Sequence, residues 1–88
     1  MTKKVRISEQ FEGANILGCT VHHNGYCGGD RGHGGYVTIK FENICGTAML
    51  LNGKDVESFE FAFCGDSERD TLIDALNFIL TELKKDQR

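Results

Sequence analysis

Tyr36-Val37-Thr38-Ile39-Lys40-Phe41-Glu42 is the stretch whose pattern decides the fold. Val37, Ile39 and Phe41 share one parity while Tyr36, Thr38, Lys40 and Glu42 share the other, and this period of two predicts a half-buried β-strand. Upstream, Lys4 to Phe11 alternates Val5 and Ile7 with Arg6 and Ser8, predicting a first strand that Gly13 ends. Asn15 to His23 carries Ile16, Leu17, Cys19 and Val21 and predicts a second strand, bent or bulged at Gly18. Downstream, Thr47 to Leu51 and Glu57 to Phe63 flank Asn52-Gly53, the dipeptide favoured in type I′ hairpin turns. The register of that hairpin is awkward: a two-residue loop pairs Met49 with Val56 and sets the Phe59, Phe61 and Phe63 face against the parity of Met49 and Leu51. A longer loop or a bulge near Lys54 to Val56 is the expected remedy.

Beyond Cys64 the period changes. Gly65-Asp66-Ser67 supplies a break and a cap, Glu68 and Asp70 place negative charge in the first turn, and Lys84 and Lys85 place positive charge in the last. Leu72, Leu76, Ile79 and Leu83, widened by Ile73 and Leu80, form an apolar stripe at helical spacing. The expected architecture is α+β: a mostly antiparallel sheet of four to five strands and one long C-terminal amphipathic helix, all in a single domain, 1–88.

Length and charge narrow the classes. Eighty-eight residues hold one modest core and no second domain. Ten Lys plus Arg against thirteen Asp plus Glu leave a net charge of -3, which argues against a binder of nucleic-acid polymers. The start, Met1 to Ser8, has basic residues but no apolar run behind them, so neither a signal peptide nor a membrane anchor is expected, and the cytoplasm is the expected compartment. Cys19, Cys27, Cys45 and Cys64 are widely spaced and read as thiols, with Cys45 and Cys64 expected as buried apolar groups. With no covalent staple, so short a chain gains by burying a face in a homo-oligomer, for which the C-terminal helix is the expected contact.

The segment Asn24-Gly-Tyr-Cys-Gly-Gly-Asp-Arg-Gly-His-Gly-Gly-Tyr36 reads as a loop. Glycines are costly to order, so something must compensate for holding them. One reading is a plain connector between strands. Another is a ligand site in which Gly28, Gly29 and their neighbours turn backbone N–H groups toward an anion and Arg31 adds a forked donor. Tyr26 and Tyr36 then offer faces for a base, Asp30 and Asn24 acceptors for hydroxyls, and His33 a further contact. The segment is neither a phosphate-binding P-loop, lacking Gly-Lys-Ser/Thr, nor a dinucleotide fingerprint, being followed by a strand. Cys19, His22, His23, Cys27 and His33 are zinc-type ligands without the paired spacing of a structural site, and His22 and His23 point to opposite faces of a strand. No metal or other cofactor is assigned. Cys27 with His33 and Asp30 as a thiolate, base and orienting group lacks a rigid mount, and no enzyme activity is expected.

A short acidic chain with an antiparallel sheet, the glycine-rich segment Gly25 to Tyr36 and a C-terminal helix resembles, over its whole length, small phage-encoded counter-defence proteins. It is similar in general plan to the Thoeris anti-defence sponges. The resemblance implies an oligomer in the host cytoplasm that sequesters cyclic ADP-ribose-type or cyclic oligonucleotide signals without cleaving them. No motif is shared residue by residue, so no residue's role is carried over. The alternatives are a protein-interaction inhibitor acting through its sheet or acidic surface, and a small zinc-binding module.

Overall fold

A computed structural model describes residues 4–28 and 34–85. The fold is α+β. Four strands, β1 (Val5–Glu12), β2 (Ile16–His23), β3 (Tyr36–Cys45) and β6 (Ser58–Cys64), form an antiparallel sheet in the order β1-β2-β3-β6. A separate ladder of β4 (Leu50–Leu51) and β5 (Lys54–Asp55) precedes β6, and helix α1 (Asp66–Lys84) follows it. No helix among the described residues is long and apolar enough to cross a membrane.

The hairpin at Asn52-Gly53 has a strict two-residue loop, with φ of 53° and 81° at the two positions as a type I′ turn requires. The expected bulge or longer loop is therefore not the remedy for its register. The ladder stops after the Val56 N–H donates to the Met49 carbonyl, and the phenylalanine strand leaves it to pair with β3 instead. Phe59, Phe61 and Phe63 then lie opposite Phe41, Ile39 and Val37, all on one face, so the apparent parity conflict was between two different sheets. The irregularity in β2 falls between Ile16 and Leu17 rather than at Gly18.

Register fixes which residues share the helix face. His23 and Val5 lie beside Val37, and Val21 and Ile7 beside Ile39. Leu72 of α1 sits on Val37 and Ile39, and these three are the buried hydrophobic residues among those described, with Phe41 and Phe61 packed partly against them. The helix lies chiefly over β3 and β6. Its start departs from the expected side-chain cap: Gly65 is the N-cap, with φ 116° and no side-chain cap bond. Cys45 and Cys64 are exposed, not buried. Cys64 stands beside Tyr36 on the sheet face away from α1, and Cys45 is the last residue of β3.

Candidate functional site

The glycine-rich segment leaves β2 at His23 and enters β3 at Tyr36, and its two stems come together above the start of α1. The topology causes this. Antiparallel pairing of β3 with β6 sets Tyr36 beside Cys64, so the first helical residues begin where the loop ends. The Gly65 N–H donates to the Gly35 carbonyl at 2.6 Å, tying helix start to loop exit.

Asp66 holds the other stem. The Cys27 N–H donates to Asp66 Oδ1 at 2.9 Å and the Gly28 N–H to Asp66 Oδ2 at 2.6 Å, so successive backbone donors grip the two oxygens of one carboxylate. Gly28 reaches this position with φ 83°, a conformation that side chains rarely adopt. Asn24 is buried, and its Oδ1 accepts from the Tyr36 N–H at 2.7 Å. The cost of ordering the two stems is thus offset within the chain, by Asp66, which accepts from two backbone donors, and Asn24, which accepts from one.

Tyr26 lies on the helix side. Its hydroxyl donates to Asp70 Oδ1 at 2.7 Å, and the Arg69 guanidinium carbon stands 4.2 Å from its ring centroid. The hydrogen bond to Asp70 pushes the phenol above its ordinary 10.0, helped by burial and by the charge of Asp70 and opposed by Arg69. A raised folded value means that this contact is complete below pH 10 and is lost as the pH rises through the folded value. Tyr36 points to the opposite sheet face, where its hydroxyl bonds His22 Nε2 at 3.1 Å and the two rings meet edge to face. The two tyrosines are therefore not two walls of one slot.

Of the expected site residues, Asn24, Tyr26, Gly28 and Tyr36 are placed as above, while Gly29, Asp30, Arg31 and His33 lie outside the described residues. The zinc-type set is not gathered among the described residues. His22 faces away from His23, and the Gly25 N–H donates to His23 Nδ1 at 3.1 Å, which leaves the neutral ring's proton on Nε2. The Cys27 thiol points back at the Asn24 and Gly25 carbonyls. Burial, and secondarily the charge of Glu9, raises the Cys19 thiol above its ordinary value and so lowers its thiolate fraction at neutral pH.

Asp66 was missed by sequence reasoning as a loop ligand. Its place at a helix start explained its charge completely, and the partner donors lie nearly forty residues upstream. Asp66→Ala is expected to lower stability by about 2 kcal/mol, less than the roughly 3 kcal/mol of two charge-assisted bonds because the site is accessible to water. Asp66→Asn, which keeps one carbonyl acceptor, should recover about half of that. Urea unfolding measures both, and amide exchange at Cys27 and Gly28 should quicken in step. Unchanged exchange in the alanine variant would sink the assignment.

Beside this junction, Val21, His23, Val37, Arg69, Ile73 and Leu76 border a groove of about 270 Å³ between helix and sheet. Arg69 Nη1 is shielded from water there and has no hydrogen-bond partner among the described residues. No protein family model, characterised protein or solved structure matches this chain.

Proposed function

We propose that the protein is a non-enzymatic binder that sequesters a small nucleotide-derived anion at its glycine-rich segment, of the cyclic ADP-ribose or cyclic oligonucleotide kind. The observation that carries the reading is the fork of Cys27 and Gly28 N–H groups around the Asp66 carboxylate. Two adjacent backbone donors aimed at one pair of oxygens make a receptor for a phosphate or carboxylate edge. The chain's own carboxylate fills it in the free protein, so binding exchanges one anion for another. Tyr26, 56% exposed and backed by Arg69, gives a base a surface to lie on. Arg31 supplies the fixed positive charge that lets a ligand compete with Asp66.

Native mass spectrometry with cyclic nucleotides and ADP-ribose isomers, added one at a time, tests the reading. A stoichiometric mass shift with one of them is expected, reduced at least about 30-fold in affinity by Arg31→Ala, the worth of a charge-assisted pair. An Arg31→Ala chain that binds as well as the native one overturns it. The second reading, a protein-interaction inhibitor acting through its sheet, rests on apolar side chains exposed on the strands, Leu50 at 63% and Ile44 at 43% among them. In that case Arg31→Ala leaves partner binding intact.

A further inference from the structure

The sheet face is wider than the one helix that lies on it. Strands spaced about 4.8 Å apart make a four-stranded face roughly 14 Å across between its outer strands, and a helix with its side chains is about 10 Å wide. Helix α1 occupies the half over β3 and β6. The half over β1 and β2 is a partly open lane of the same parity: Ile7 is 60% exposed and Phe11 53%, with the exposed Glu9 between them and half-buried Leu17, Cys19 and Val21 beside them.

The helix has the matching defect. Leu72 is its only buried residue, and every residue from Ile73 to Lys85 is exposed, although Leu76, Ile79, Leu80 and Leu83 continue the apolar stripe. The first half of α1 is packed at home, while the second half carries its stripe uncovered. Ile73 and Leu76 border the groove on the side toward β2, so the uncovered flank adjoins that lane.

The surplus of surface is enough for a dimer contact. The chain exposes 6733 Å², whereas a compact monomer of 9.8 kDa exposes about 5,200 Å². Its radius of gyration is 14.8 Å, against about 12 Å for a compact 88-residue domain. The difference in area, about 1,500 Å² per chain, is excess surface spread over the molecule and is more than the roughly 800 Å² per partner that a standard specific interface buries.

We propose that a second copy of this chain covers the open lane: the C-terminal half of each α1, from Leu76 to Leu83, lies along α1 of its partner and over the partner's β1 and β2. The contact is isologous, the same lane and the same helix half from each copy, so it closes at two and leaves no repeating surface. The proposal stands on the helix and the sheet alone and does not depend on the glycine-rich segment binding a ligand.

Sedimentation velocity of the full chain tests it. The native protein is expected at twice the chain mass at micromolar concentration. Ile79→Glu with Leu83→Glu on the helix, and separately Ile7→Glu in the lane, should each raise the dissociation constant by at least about 30-fold, as loss of a central apolar contact does. None of these positions belongs to the monomer's buried core, so the strand and helix circular dichroism should persist. A native chain that stays at monomer mass at 50 µM overturns the proposal, as does a dimer indifferent to either variant. The native protein also gives a reading that needs no variant: its thermal midpoint should rise with protein concentration if the dimer is what melts. A midpoint independent of concentration overturns the proposal.

Discussion

Gly35→Ala is expected to lose about 3 kcal/mol of folding stability, the upper range for overpacking a rigid buried site. An alanine Cβ at this position would stand 2.6 Å from the Gly25 carbonyl oxygen and 3.1 Å from Asp66 Oδ1. The first of these is backbone and cannot swing aside. Relief would require parting the two stems, which loosens the Asn24 contact to Tyr36, or moving Asp66 off its two donors. It would also shift the Gly35 carbonyl that receives the Gly65 N–H. In a domain of this size the loss corresponds to a fall of about 15 °C in melting temperature. Gly13→Ala is the control, because nothing lies within 4 Å of its added carbon. It should stay within about 0.5 kcal/mol of the native chain. Equilibrium unfolding of both variants at one protein concentration decides the matter, and a Gly35→Ala protein as stable as Gly13→Ala would show that the stems are not in contact.

Leu72→Ala should cost a similar amount, about 3 kcal/mol. The buried core consists of Leu72, Val37 and Ile39 among the described residues, so one truncation removes the helix's only fully packed side chain. The new void would merge with the groove bordered by Ile73 and Leu76, which limits the penalty because neighbouring side chains can settle into it. The helix is affected more than the sheet. With its anchor lost, α1 should show a drop in helical circular dichroism at temperatures where the strand signal persists. Simultaneous loss of both signals, with a fall in stability below about 1 kcal/mol, would mean that the helix is held by something other than this contact.

These two positions differ in how far the sequence reveals them. Leu72 is legible: it sits at the centre of a 3.6-residue stripe behind a glycine break, and its partners Val37 and Ile39 come from the plainest two-residue alternation in the chain. The fold class follows from those same two periods. Gly35 is not legible, since one glycine in a glycine-rich run carries no mark of which neighbour it must admit. The same holds for Asp66, whose charge at the start of a helix is accounted for by the helix dipole before any loop is considered. The pairing of β3 with β6 was hidden by the hairpin dipeptide, which drew the phenylalanine strand toward the wrong neighbour; local turn chemistry says where a chain reverses, not how long the partners stay together. Of the candidate site, Asn24 and Tyr26 were legible as polar groups in a suggestive place, but their roles as staple and helix contact come from tertiary proximity alone.

The junction of loop and helix also carries a consequence for the order of events as the chain folds. Cys27 and Asp66 are separated by 39 residues, and the two meet only after β6 has crossed to β3, so the clasp cannot help nucleate the sheet. Its long sequence separation predicts that it closes late, and amide exchange at Cys27 and Gly28 faster than in the strands is the expected sign that it opens early. An opening there requires no strand to separate, only a carboxylate leaving two donors, so the unlatched state is expected as a low-lying excited form of the native protein rather than a step toward unfolding.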